Sequence, residues 1–228
     1  MKKLTCCAAV LTLVISFAAT LQTYSAPLLA VDFGLATTPV QAGFSGMTGD
    51  VVMGSKTDSF GPYTVTVQGE GFYSAGFNAG NVDASVAALY EDYYYHNSTT
   101  NGVGITLSIA GVTPNTPYDV TIWTYDEDNI FTDTPTSWGP ASASNTSGTS
   151  GSVLNRATPY PTDLTFNRTT IRVQSTTSAL DIFGTTTGGS GGTRLNAFQL
   201  DAVPEPGPAI LLMIGMIIVA ARRNIFSL

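Results

Sequence analysis

The stretch VGITLSIAGVTPNTPYDVTIWTYD, Val103 to Asp126, decides the fold. Val103, Ile105, Leu107 and Ile109 recur at every second position, as do Tyr118, Val120 and Ile122. A strand sends successive side chains to opposite faces, so this period marks strands rather than helices. Between the two runs, Pro114-Asn-Thr-Pro117 supplies turn chemistry. Working outward, the same period returns in Tyr63-Thr-Val-Thr-Val67, Leu164/Phe166, Ile171/Val173, Leu180/Ile182 and Leu195/Ala197. Turn signals separate these runs at Gly69-Glu-Gly71, Asn145 to Gly151 and Gly188 to Gly192. No strand–helix alternation and no long internal repeat occurs. The pattern predicts an all-β protein built as an antiparallel β-sandwich.

One segment departs from it. Val82, Val86, Leu89, Tyr90 and Tyr93 recur at helical spacing, with Asn81 or Asp83 placed to cap the start, which predicts one short helix. Glu91 and Asp92 then fall near its C-terminal end, where the helix dipole disfavours each negative charge by about 0.3–1 kcal/mol, and are expected to be solvated.

The two ends are hydrophobic. Lys2 and Lys3 precede the apolar run from Leu4 to Leu21, the arrangement of a secretory signal peptide. Residues 1–26 are assigned to it, with the cut expected between Ala18 and Ala30. Cys6 and Cys7 lie inside that segment, so a processed chain holds no thiol for a disulfide, a nucleophile or a metal. At the other end, Val203-Pro-Glu-Pro206 leads into an apolar run from Ala209 to Ala221 that only Gly215 interrupts, followed by Arg222 and Arg223. Counted from Val203, the span is about 19 residues, just enough for a transmembrane helix of the usual ~20. The terminal arginines favour a cytoplasmic C-terminus. The organisation expected is thus a signal helix, an ectodomain over 31–202 and a tail over 203–228.

That tail resembles the PEP-CTERM sorting signal of Gram-negative bacteria, on Val203, Pro204, Glu205, Pro206, the single apolar span, Arg222 and Arg223 in that order. The resemblance implies anchoring in the inner membrane and recognition by an exosortase-type membrane protease. It further implies removal of the tail and delivery to the cell surface or the extracellular polysaccharide matrix.

From Val31 to Ala202 the chain carries 15 acidic and five basic residues, a net charge of 5 − 15 = −10. Such a surface repels nucleic acid and anionic lipid, which excludes them as expected partners. About 170 residues suit one domain with a sizeable core.

A second resemblance covers most of this ectodomain. Val31-Asp-Phe-Gly34 with Pro39-Val-Gln-Ala-Gly-Phe44, then Leu107 to Val112 with Pro114 to Tyr118, then Trp123 to Asp126, and finally Arg194-Leu-Asn-Ala-Phe-Gln-Leu200 are similar to segments of galactose-binding-like or malectin-like sandwiches. A jelly-roll fold is implied, in a family whose members often bind carbohydrate through loops at one edge. Function lives in sites rather than folds, so sugar binding has to be argued separately.

Trp123 and Tyr125 share the strand face opposite Tyr118, Val120 and Ile122. If the aliphatic face is core, both rings stand outside, where the C–H face of a pyranose stacks well; the other reading buries both faces, one under a second layer or the helix. Trp138, in a polar loop, and Tyr94 and His96, after the helix, complete the carbohydrate-binding candidates, each of them open to a packing role instead. Asp126 and Asp128 lie in an acidic loop that offers oxygen ligands to calcium but lacks the spacing of an EF-hand, so a solvated loop is the preferred reading. No cofactor is expected.

Signs of catalysis are thin. His96 stands alone, no G-x-S-x-G elbow occurs and no histidine pair exists for zinc. The expectation is a non-catalytic, exported structural or adhesive protein of the polysaccharide matrix. A secreted polysaccharide hydrolase using an Asp/Glu pair is the alternative, since carboxylate separations are spatial and not legible in sequence.

Overall fold

The computed structural model describes residues 26–49, 54–74, 82–96, 103–126, 135–142, 144–154, 160–186 and 192–204. Residues from Pro27 to Ala202 form one compact unit. It is sandwich-like and almost wholly built of strands.

Among the described residues, two six-stranded sheets face each other. The first runs in the order β10 (Thr146–Gly148), β12 (Arg168–Ser175), β8 (Tyr118–Trp123), β15 (Ala197–Ala202), β1 (Leu29–Leu35) and β2 (Ser45–Gly49). The second runs β11 (Gly151–Leu154), β9 (Pro135–Pro140), β13 (Ala179–Thr186), β7 (Gly104–Ala110), β4 (Tyr63–Gly69) and β3 (Gly54–Phe60). A small third sheet holds β14 (Thr193–Leu195), β6 (Asp92–His96) and β5 (Gly71–Ser74). Pairing is antiparallel throughout except between β1 and β2, which run parallel with Val31 opposite Ser45. The sheets are antiparallel as the alternation predicts, and this one pair is the departure from it. The chain from Ala36 to Phe44 carries it back to the start of the sheet edge instead of folding as a hairpin, because parallel neighbours need a crossover connection.

The alternating residues that mark the strands also fill the core. Val120 and Ile122 from β8, Val31 and Phe33 from β1, and Ile171 and Val173 from β12 meet Ile105, Leu107 and Ile109 from β7 and Leu180 and Ile182 from β13. Each is essentially inaccessible to solvent, and each such aliphatic side chain contributes roughly 1.5–3 kcal/mol by leaving water. The turn read at Pro114–Pro117 is present: Asn115 takes the left-handed conformation at φ 58° and donates its N–H to Ser175 O at 2.7 Å. Asparagine is one of few non-glycine residues that visit this region readily.

The helix is shorter than its periodicity implies. α1 spans Ala87–Glu91 only, and Tyr93 belongs to β6. Its predicted cap Asn81 lies outside the described residues. Asp83 instead accepts the N–H and the hydroxyl of Ser85, closing the turn that precedes α1. The helical spacing is real all the same: Val82, Val86, Leu89 and Tyr90 pack together on Trp123, Tyr125 and Ala197 as a second, smaller core. That core covers the outer face of the first sheet.

Arg194 to Leu200 reads as one strand in sequence but is two. Asn196 separates β14 in the small sheet from β15 in the first sheet. Among the described residues no helix is long and apolar enough to cross a membrane. The signal segment 1–25 and the tail from Glu205 onward, with Pro206, Arg222 and Arg223, lie outside the described residues. Val203 and Pro204 follow β15 as irregular chain.

Candidate functional site: a tyrosine face on the small sheet

Four of the predicted sugar-stacking rings are interior. Trp123 is 2 % exposed, and Tyr125 and Trp138 are fully buried, as is Tyr94 in all but 1 %. Trp123 and Tyr125 do occupy the face opposite the aliphatic residues, but the turn and α1 lie over that face. The edge of Phe44 meets Trp123 at 5.6 Å, Tyr90 meets Tyr125 at 5.3 Å, and Trp123 Nε1 donates to Leu164 O. Trp138 sits in strand β9 rather than a loop, inside the main core, and its Nε1 donates to Thr124 Oγ1. Tyr94 packs edge-on against Phe72 at 5.0 Å and donates its hydroxyl to Gly54 O. Burial raises its phenol to about 12. His96 is half-buried at the end of β6, its Nδ1 3.9 Å from Glu70 Oε1.

Strand parity puts other residues on the outside. In β6, Tyr94 and His96 point one way and Tyr93 and Tyr95 the other. β5 pairs with β6 so that Tyr73 stands opposite Tyr93. The three rings form one cluster, with Tyr73–Tyr93 centroids 5.6 Å apart, Tyr73–Tyr95 5.9 Å and Tyr93–Tyr95 6.3 Å. Tyr73 is 45 % exposed, Tyr95 is half-buried and Tyr93 forms the floor at 3 %. From β14, opposite Tyr95, Arg194 lays its guanidinium 5.1 Å from the Tyr93 ring and 5.8 Å from that of Tyr95. Desolvation holds the Tyr93 phenol well above its ordinary range, against the opposing pull of Arg194.

The charge of Arg194 is matched within the protein. Its Nε donates to Asp126 Oδ2 at 2.9 Å, and both residues are more than nine-tenths buried. This corrects the acidic-loop reading of Asp126: it is a buried ion-pair partner, not a solvated ligand. Asp128 lies outside the described residues, among which no cluster of three or more His, Cys, Asp or Glu is arranged to hold a metal ion. The tyrosine face therefore presents aromatic rings beside a guanidinium whose charge Asp126 matches. Tyr73 and Arg194 carry no signal in the sequence; the run Tyr93 to His96 does, but Tyr94 and His96, the candidates named from it, lie on the strand face opposite Tyr93 and Tyr95.

A buried polar layer lies behind the outer face of β1. Asn196 uses its whole side chain: Oδ1 accepts from Tyr125 N at 2.6 Å and Nδ2 donates to Asp92 O at 2.8 Å. Asp92 was expected in solvent at a helix end and is instead 2 % exposed at the start of β6. Its Oδ2 accepts from Leu35 N, whereas its Oδ1 is buried with no hydrogen-bond partner among the described residues. Asp32, 4 % exposed, accepts from Gln41 N at 2.7 Å. Burial, with Asp92 adding to it and Gln41 opposing, raises Asp32 to about 7.

No family model and no curated protein matches the chain. Two solved structures are similar in β-rich fold. Protein YxiM of Bacillus subtilis aligns at 14% identity and a TM-score of 0.37, over 77% of this chain and 40% of its own. β-Glucuronidase 2 of Bacteroides uniformis aligns at 14% identity and a TM-score of 0.44, over 77% of this chain and 18% of its own. The chain spans less than half of either, and likeness at this level carries nothing about activity.

Proposed function

We propose that this chain is an exported, non-catalytic protein of the cell surface or the extracellular polysaccharide matrix. Its ectodomain is a jelly-roll sandwich of the galactose-binding-like kind that touches uncharged polysaccharide through Tyr73 and Tyr95, and the tail from Val203 to Arg223 directs its sorting by an exosortase-type protease. The observation that carries the binding part is the tyrosine face: partly exposed rings beside a guanidinium already paired with Asp126. Pyranose C–H faces stack on such rings while phenol hydroxyls reach the sugar hydroxyls. An ectodomain charge of −10 favours uncharged glycans over acidic ones. The order of basic residues, apolar run, ectodomain, Pro-Glu-Pro, apolar span and arginine pair supports the sorting part.

The alternative is a polysaccharide hydrolase working through two carboxylates. Among the described residues, Asp32 beside Asp92 is the pair of carboxylates with a strongly raised member, and it is sealed from solvent and so badly placed to meet a glycosidic bond.

A glycan array probed with the full chain in detergent tests the binding. Retention on neutral glucans or galactans that Tyr73→Ala abolishes supports it, and silence on every glycan leaves a purely structural role. Release of reducing ends from any of them moves the assignment to the hydrolase. Cell fractionation of a chain lacking residues 203–228 tests sorting, and unchanged surface location counts against it.

A further inference from the structure

We propose that Asp32 and Asp92 form a proton-operated latch: with Asp32 protonated the β1–β2 loop stays closed over Trp123, and loss of that proton to solvent releases the loop. Val31 and Phe33 face the main core, so Asp32 and Gly34 share the opposite face of β1. The Asp92 carboxylate packs on that same face, since a Cβ added to Gly34 would lie 2.9 Å from its Oδ2. Two carboxylates are thus held together out of water, and one oxygen, Asp92 Oδ1, has no donor among the described residues.

The charges around the pair do not offset it. Gly46 and Ala197, beside Asp32 on the neighbouring strands, carry none. Glu91 at the end of α1 adds a third acid, itself raised by burial and by Asp92. Asp83, before α1, is occupied by Ser85. On β14, next to β6, Arg194 is bound to Asp126.

Asp32 is mechanically connected. It holds Gln41 N, Gln41 Nε2 donates to Ser85 O in the turn before α1, and Phe44 N donates to Gln41 O. Phe44 in turn covers Trp123. The Gln41 bond favours the ionised form, but desolvation outweighs it, so an ionised Asp32 gains by letting water in. Because the folded-state value is raised above the unfolded 3.8, the stability Asp32 contributes is greatest at acid pH. It falls as pH climbs toward about 7 and stays low above that.

The full chain in detergent micelles, melted at pH 5 and pH 8 beside Asp32→Asn, tests the latch. Asparagine keeps the acceptor for Gln41 and cannot ionise. The wild type is expected to lose roughly 5–10 °C more than the variant between the two pH values, with faster amide exchange in residues 36–44 of the wild type alone once intrinsic rates are corrected. Equal pH slopes overturn the proposal. So does recovery of the acid-state melting temperature at pH 8 by millimolar calcium, which would make the pair a metal site. Should Asp32→Asn not fold, a carboxyl-labelled aspartate titration of the wild type decides: one carboxyl titrating near neutrality supports the latch, and all of them titrating below pH 5 refutes it.

Discussion

Trp138 on β9 lies directly across from Gly184 on β13, and its indole occupies the space that a side chain at position 184 would need. A Cβ there would fall well inside van der Waals contact with the six-membered ring of the indole. Gly184→Ala should destabilise the protein by about 1–3 kcal/mol through overpacking, and Gly184→Val by more. Urea unfolding followed by tryptophan fluorescence measures both. A midpoint unchanged by alanine would mean that the indole has room to shift.

The side-chain amide of Asn196, between β14 and β15, ties the chain that follows β8 to the start of β6. Asn196→Ala removes the acceptor that Tyr125 N uses and the donor that Asp92 O uses, in a buried site. Leaving buried groups unpaired in this way costs roughly 1–3 kcal/mol each. The expected loss is about 2–4 kcal/mol, with Asp and Leu at 196 no better than Ala, since Asp lacks the donor and Leu lacks both. Denaturant titration of the three variants checks the ranking.

Breaking the buried pair of Arg194 and Asp126 from one side should cost more than removing it whole. Asp126→Asn strands a guanidinium among rings, and about 3–5 kcal/mol is expected. The double change Arg194→Met with Asp126→Leu should recover a large part of that loss. A double-mutant cycle in thermal melts provides the number, and additive single effects would show that the two side chains are not coupled.

Tyr73→Ala should cost about 1–2 kcal/mol, because the ring is partly exposed on an outer face but touches Tyr93 and Tyr95. The same change should remove retention on any glycan that the protein binds. Tyr94→Ala makes the contrast, losing about 3–5 kcal/mol by emptying a packed core position. Parallel stability and binding assays on the two variants separate a platform from a core residue.

The tyrosines should titrate unevenly. Tyr94 is raised to about 12, and Tyr90 and Tyr93 are also pushed up by burial. For a phenol raised in the folded state, the folded protein binds protons that the unfolded chain has released. Stability therefore falls as pH rises from about 10 toward those values. Absorbance at 295 nm should show a first group of phenolates forming with the fold intact and a second group only with unfolding. A single unperturbed transition near pH 10 would contradict the burial of this cluster.

How much of this was legible depended on what each residue touches. The strands of the main core were legible because Ile105, Leu107, Ile109, Val120 and Ile122 answer to a local rule, alternation across one sheet. Whether Trp123 and Tyr125 were covered was not a local question: the answer lay 33 or more residues away, in Val82 to Tyr90 folding over the outer face. The helix ended early for a related reason. Tyr93-Tyr94-Tyr95 is a run of strongly strand-forming side chains, and pairing with β5 overrode the helical spacing that had included Tyr93. The tyrosine face required two strands in register, so Tyr73 could not be joined to Tyr93 and Tyr95 from sequence. The same holds for the buried position of Asp92 and for the parallel placement of β2.

The order of strands in the first sheet bears on mechanics. β15 lies between β8 and β1, hydrogen-bonded on both sides, and Leu29 at the start of β1 stands opposite Leu200 near its end. A tension that pulls along the axis of β15 from the residues after Ala202 loads two ladders at once, whereas an edge strand has one to lose. β15 can leave the sheet only after both of those ladders have failed.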